Sequence, residues 1–183
     1  MKSKESSWQK LRFWLIVGLI IIIIGGGVFL FSQTYLKRFP ISGSSMEPTI
    51  HNKDMTIIFR TKKVKYDDVV ILWMPDDRNP QYLIKRVIGL PGDKIDIKVS
   101  EEDGYFHVYR NGERLREDYI KEPITENYYE LSLTVPEGKL FFLGDNRMHS
   151  HDSHEGNTFA DINNIQGVVF FRYREGFKDA KFL

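Results

Sequence analysis

By polarity the chain divides into one uninterrupted apolar run and, after it, short apolar stretches separated by turn residues. From residue 13 to 36 no side chain is charged, and the centre, Leu15-Ile-Val-Gly-Leu-Ile-Ile-Ile-Ile-Ile24, is almost wholly aliphatic. These 24 residues, rising about 1.5 Å each, cover roughly 36 Å, against a hydrocarbon core of about 30 Å. A membrane-spanning helix is therefore predicted over 13–36. A buried core helix rarely runs so far without a polar face, and the apolar part of a cleavable secretory signal is only about 7 to 15 residues. Lys2, Lys4, Lys10 and Arg12 precede the run and Lys37 and Arg38 follow it, a basic excess that favours a cytoplasmic N-terminus. Trp8, Trp14, Phe31 and Tyr35 suit the two aromatic belts. The expected organisation is a cytoplasmic tail, 1–12, a single span, 13–36, and an extracytoplasmic domain, 37–183.

Beyond Pro40 the pattern changes to short runs rich in β-branched and aromatic residues. Strands are predicted at 55–59, 69–73, 82–88, 94–99, 105–110, 140–143 and 168–173. Asn111-Gly112 lies between two such runs and is a hairpin signal. Lys94-Ile-Asp-Ile-Lys-Val99 alternates, predicting one wet and one dry face. No helix-period segment of useful length follows residue 40, so the domain reads as all-β. The stretch 116–136 is polar and irregular, either a small inserted lobe or a surface loop.

Size and charge narrow the class. Of 183 residues, roughly 145 remain without the anchor, enough for one domain with a real core. The 26 basic and 25 acidic side chains nearly cancel, and neither sign forms a long block outside the N-terminal tail, which argues against a nucleic-acid partner. Cysteine is absent, excluding disulfides, zinc–thiolate sites and a cysteine nucleophile.

Three segments carry candidate chemistry. In Ile41-Ser-Gly-Ser-Ser-Met-Glu-Pro-Thr49, Gly43, Pro48 and the small residues between them make a tight turn. Such a turn can expose the Ser45 hydroxyl and aim backbone N–H groups at an oxyanion, or it can be an ordinary loop leaving a membrane helix. Tyr82-Leu-Ile-Lys-Arg-Val-Ile-Gly-Leu-Pro-Gly-Asp93 holds Lys85 among apolar neighbours in a strand pattern. A serine needs a base. An exposed lysine, with a pKa of about 10.4, is almost never one at neutral pH, whereas burial lowers that value by up to several units. Lys85 is such a buried base or an edge residue. Leu143-Gly-Asp-Asn-Arg-Met-His-Ser-His-Asp-Ser-His-Glu-Gly156 collects His149, His151 and His154 with several carboxylates. It reads as a metal site or as a solvated polar loop, and its spacing matches no common zinc motif. Ser7-Trp-Gln-Lys10 also fits a Ser-x-x-Lys pattern, but its place in the tail makes it a chance match.

Taken together, in this order and behind one anchor, the segments resemble the type I signal peptidases, membrane-bound serine proteases with a Ser-Lys dyad that remove signal peptides from exported proteins. Ser42-Gly-Ser-Ser-Met-Glu-Pro-Thr49 resembles the family's nucleophile box, with Ser45 as nucleophile. The segment 82–93 resembles the general-base box, with Lys85 as base and Arg86 as a supporting residue. Gly144-Asp-Asn-Arg-Met-His-Ser-His-Asp-Ser153 resembles the last box. There the resemblance implies that Ser150 hydrogen-bonds the lysine and that Asp145 and Asp152 hold the site through ion pairs.

The resemblance further implies an all-β catalytic domain with a small β lobe inserted within about 95–138, behind one N-terminal transmembrane helix. It implies no metal and no cofactor. The implied partners are the lipid bilayer and secretory preproteins with small side chains at −3 and −1, typically Ala-x-Ala, bound extended against a strand edge. In the implied mechanism Lys85 takes the Ser45 proton, Ser45 attacks the scissile carbonyl, and water activated by Lys85 releases the acyl group. Met46 and the aliphatic neighbours of Lys85 would keep the base dry.

Two positions depart from the family pattern. Some members carry a hydroxyl in the oxyanion hole where this chain has Gly43, leaving the Ser45 N–H as the expected donor. His154 replaces an arginine that commonly pairs with the aspartate matched by Asp152. Because histidine titrates near about 6.5, the support of Asp152 is expected to be weaker and to vary with pH. Two rivals are disfavoured. A catalytically silent assembly factor at the cell surface would be expected to lack Ser45 or Lys85, and a self-cleaving regulator of the repressor type would lack both the span and Gly144-Asp-Asn-Arg147.

Overall fold

The computed structural model describes residues 2–75, 81–125, 128–155, 158–177 and 179–183, with the backbone alone for 2–7. Met1, the side chains of Lys2, Lys4 and Ser7, Glu126 and Asn127 in the polar stretch, and Gly156 lie outside the described residues.

The chain forms two units, Met1–Leu36 and Lys37–Leu183. The first is one helix, α1, Lys2–Tyr35. It begins well before residue 13, so the basic tail is helical as well. Residues 20–23 are all isoleucine, and with successive side chains about 100° apart the helix is apolar on every side, as a span must be. The stretch Trp8–Tyr35 is long and apolar enough to cross a membrane by length and composition.

Among the described residues the rest of the chain forms twelve strands: β1 Leu36–Pro40, β2 Met55–Phe59, β3 Val69–Met74, β4 Gln81–Gly89, β5 Lys94–Val99, β6 Phe106–Arg110, β7 Glu113–Arg114, β8 Leu131–Thr134, β9 Lys139–Leu143, β10 Ala160–Asp161, β11 Ile165–Tyr173 and β12 Lys181–Phe182. Eight form one sheet in the order β1-β2-β11-β3-β4-β9-β10, with β12 added beside β11. The other four form a second sheet, β7-β6-β5-β8. The fold is all-β, with a small lobe inserted between two neighbouring strands of the main sheet, β4 and β9.

Strand β4 is buried without a break from Ile84 to Gly89 because it lies between β3 and β9 and both its faces are covered. Ile84 packs with Met46, Ile50, Ile58 and Val69, whereas Val87 packs with Val70, Leu72 and Phe142. At its end Ile88 joins a third cluster, with Ile95, Ile97 and Val108 of the lobe and Phe141 and Leu143 of β9. Gly89 marks the crossing, since a Cβ there would come within 3.0 Å of Ile95 and Val135. The lobe thus shares its core with the main sheet.

In β5 the predicted alternation holds for Ile95 and Ile97, both buried, but Val99 is exposed. The hairpin falls at Asn111 (φ 54°) and Gly112 (φ 86°), the paired left-handed conformations that a two-residue turn of this hand requires. Strand β8 corrects the reading of 116–136 as irregular. Leu131 and Leu133 are half-buried while Ser132 and Thr134 face water, and Ile95 pairs with Leu133. Four alternating residues inside a polar stretch are too short a signal without their partner strand. Gly112→Val places a β-branched residue in the left-handed region, and a loss of about 1–2 kcal/mol is expected from the steric cost of that conformation, read as a lower urea midpoint of the full-length protein in detergent.

Candidate active site

Lys85 occupies the centre of β4, paired with Val70 of β3, and is 2% exposed. Removal from water disfavours the ammonium form, and this outweighs the opposing pull of the Asp152, Glu155 and Asp145 carboxylates. The pKa falls from the usual 10.5 to about 8. The amine donates a 2.7 Å hydrogen bond to Ser150 Oγ. A neutral amine keeps one lone pair, so it can donate to Ser150 and still accept a proton.

Ser45 sits at the start of the turn that follows Gly43, half-buried, while the next residue, Met46, is 1% exposed and locked in the core. Asn146 N–H donates to the Ser45 carbonyl (3.0 Å) and Asn146 Nδ2 to the Ser44 carbonyl (3.1 Å). Between these contacts lies Gly144, where a Cβ would fall on Ser150 Oγ and within 2.5 Å of the Ser45 carbonyl. Only glycine lets the two serine segments meet here. The Ser45 N–H has no hydrogen-bond partner among the described residues and is free to meet an oxyanion. The Gly43 N–H, in contrast, donates to Asn52 Oδ1 (3.2 Å), so as an oxyanion donor it is already engaged. The left-handed φ of 108° at Gly43 accounts for glycine there.

Asp145, fully buried, joins all three segments. Its carboxylate accepts a fork from Arg86, 2.8 Å from Nε and 2.5 Å from Nη2, and also the Thr49 hydroxyl at 2.5 Å. Burial alone would weaken the hold of Arg86 on its proton, but Asp145 more than offsets this and raises the pKa. Asp145 and Arg86 therefore form the ion pair expected of the first aspartate.

Asp152 does not form the second. Among the described residues no ion pair involves it; instead its carboxylate accepts the N–H groups of Gly144 (3.0 Å) and His154 (3.2 Å). His154 lies flat on Tyr128, with centroids 3.6 Å apart and planes 6° from parallel. Its Nε2 accepts the Tyr129 N–H at 3.3 Å. Burial lowers its pKa despite the pull of Asp152 and Glu155, so the ring is a neutral stacking surface where an arginine would be a cation. The carboxylate of Asp152 is thus held by main-chain donors, which do not titrate, and not by the His154 side chain.

The remaining histidines do not converge. His149 and His151 are exposed, and His151 pairs with Glu155. Among the described residues no cluster of His, Asp or Glu is arranged to hold a metal. The residues missed at the sequence level are Thr49, Asn146, Arg147 and Glu117. Arg147 is fully buried and ion-paired to Glu117; a charged residue amid Gly-Asp-Asn was a signal for the first, but nothing local marked Glu117.

A serine turn and a buried, hydroxyl-bonded amine segment that meet at Gly144 in an antiparallel β domain supply the parts a serine hydrolase needs. Comparison with known proteins is more specific. The family model described as signal peptidase, peptidase S26, matches residues 11–174. Signal peptidase I U of Bacillus subtilis is 33% identical over 91% of this chain and 92% of its own length. Signal peptidase I of Bacillus licheniformis is 33% identical over 94% and 92%. A crystal structure of a signal peptidase I from Enterococcus faecalis, 33% identical, overlaps 58% of this chain and 96% of that one with a TM-score of 0.47. The chain belongs to the signal peptidase family, peptidase S26. It is a serine endopeptidase, a hydrolase that cleaves signal peptides from secreted preproteins.

The displaced pKa of Lys85 has a measurable consequence. Between pH about 8 and 10.5 the unfolded chain holds a proton that the native amine has released, so the contribution of Lys85 to stability rises with pH across that window and is flat below it. Lys85→Met removes this slope, and at pH 7 it relieves a cost of roughly 3 kcal/mol, less the lost bond to Ser150. Urea midpoints from pH 7 to 10.5 for both proteins check this, and a wild-type midpoint that falls with rising pH relative to that of Lys85→Met contradicts it.

Proposed function

We propose that the chain is a single-pass membrane enzyme that cleaves preproteins after small residues of the Ala-x-Ala type with a Ser45–Lys85 dyad. The observation that carries this reading is the Lys85 amine, shielded from water, lowered to about 8 and hydrogen-bonded only to a neutral hydroxyl among the described residues. At neutral pH roughly a tenth of such an amine is a free base, against less than a thousandth of an exposed lysine.

In this reading Lys85 accepts the Ser45 proton as Oγ attacks the scissile carbonyl. The tetrahedral oxyanion meets the Ser45 N–H. Lysine then returns the proton to the departing amine, and the acyl-enzyme forms. Water, losing a proton to the same amine, hydrolyses the ester and restores the serine. Ser150 orients the lysine, Asp145 and Arg86 hold the turns together, and Asp152 shapes the last turn through its backbone bonds.

Helix α1 supplies the tether, with its N-terminus cytoplasmic by the basic excess before the span and the domain 37–183 on the far side. Ser45 lies nine residues beyond Leu36, at most about 30 Å of extended chain. A nucleophile on so short a leash is suited to substrates that are themselves held in the bilayer, which signal sequences are.

Ser45→Ala and Lys85→Ala are each expected to reduce processing of an Ala-x-Ala preprotein in detergent by at least about a thousandfold. Wild-type turnover is expected to rise with pH and level off above about 8. Full activity in either variant overturns the dyad, and equal cleavage of preproteins with bulky −1 residues overturns the specificity.

A further inference from the structure

The polar segment between β7 and β8 does not hang free on the lobe. Leu115 N–H bonds to the Val108 carbonyl (2.9 Å) at one end. At the other, the Ile124 carbonyl accepts from Phe106 (3.0 Å), and the Ile124 side chain is 1% exposed in the shared core. Between these fastenings the strap reaches back to the last box. Glu117 pairs with Arg147, 3.1 Å to Nη1; Tyr119 lies 3.9 Å from the Arg86 guanidinium. Lys121 bonds the Asp145 carbonyl through its N–H (3.1 Å) and Glu47 through Nζ (3.0 Å).

Among these contacts Glu117–Arg147 acts most directly on the catalytic turn. Arg147 is fully buried, and its Nε donates to the Gly144 carbonyl at 3.0 Å. Gly144 is the residue against which Ser45 and Ser150 both rest, and Ser150 holds the Lys85 amine. Burial works against the Arg147 charge, but the Glu117 carboxylate outweighs it and raises the pKa. Without that carboxylate a buried cation loses its counter-charge, and its fork no longer has a fixed direction.

We infer that Glu117 is a positioning residue: through Arg147 it fixes the Gly144 carbonyl, and with it the placement of Ser150 and Ser45 about Lys85. The inserted lobe thereby takes part in catalysis by holding a turn that belongs to the main sheet. This rests on the proposed dyad. It assigns Glu117 no contact with substrate, so its loss acts on turnover and not on binding.

The test uses full-length protein in detergent and the preprotein assay, with folded fraction measured by thermal denaturation. Glu117→Gln keeps the size and one acceptor for Arg147 and is expected to lower kcat at least tenfold and up to about a hundredfold, as misplacement of reacting groups does, with KM changed less than about twofold. Glu117→Asp is expected to restore most of the loss. In an Arg147→Met background, Glu117→Gln is expected to add no further loss, because the effect passes through Arg147. Wild-type kcat in folded Glu117→Gln overturns the inference, as does a rise in KM alone. A loss that only follows the unfolded fraction, or that adds in full to Arg147→Met, overturns it as well. Ser45→Ala run in parallel separates the two claims: activity there removes the dyad, whatever Glu117 does.

Discussion

Three chain segments far apart in sequence meet on the carboxylate of Asp145. Thr49 comes from the Ser45 turn, 96 residues away, and Arg86 from β4, 59 residues away. Taking a carboxylate and a guanidinium out of water costs several kcal/mol each, and only close, complete pairing recovers it. Here both carboxylate oxygens are used, the guanidinium also reaches the Asp67 carbonyl, and the Tyr119 ring covers it. The pairing fixes where the last box sits. Its neighbour Gly144 then brings Ser45 and Ser150 together, at a spacing that no side chain larger than hydrogen would permit.

Lys85 and Arg86 show how one strand sets two cations to different tasks. They are adjacent, so they point to opposite faces of β4, and both faces are covered. On one face Arg86 finds a carboxylate and keeps its proton. On the other Lys85 finds a hydroxyl, with carboxylates near but none in contact, and desolvation prevails. The chemistry of the two side chains reinforces this, since a guanidinium hardly releases its proton under any conditions whereas an amine responds readily to burial. Core packing thereby serves the proposed mechanism directly: the clusters that keep β4 dry are what leave part of its lysine unprotonated at working pH.

Much of this was legible from residue order. The runs at 55–59, 69–73, 82–88, 94–99 and 140–143 became strands within a residue or so at either end, and Asn111-Gly112 became the turn. Those segments carry their own signal, because alternation, β-branching and turn chemistry are local. Strands β1, β8, β10 and β12 went unseen, being short or largely exposed, and each exists because a neighbouring strand offers it hydrogen bonds. The start of α1 was also misplaced: apolar length defines a span, but nothing stops the helix from continuing through the basic residues before it.

The sequence by itself determined the apolar helix, the all-β pattern after it, and the serine, lysine and Gly-Asp-Asn-Arg segments that carry the family likeness. Tertiary structure alone decided what those side chains meet. That Asp152 binds main-chain N–H groups, that His154 stacks as a neutral ring, that the Gly43 N–H is taken by Asn52, and that Glu117 neutralises Arg147 all depend on contacts made by folding. The physical reason is that charge state and hydrogen-bond partner are set by desolvation and proximity. For Lys85 and Ser150 that proximity spans 65 residues, a distance across which local pattern carries no information.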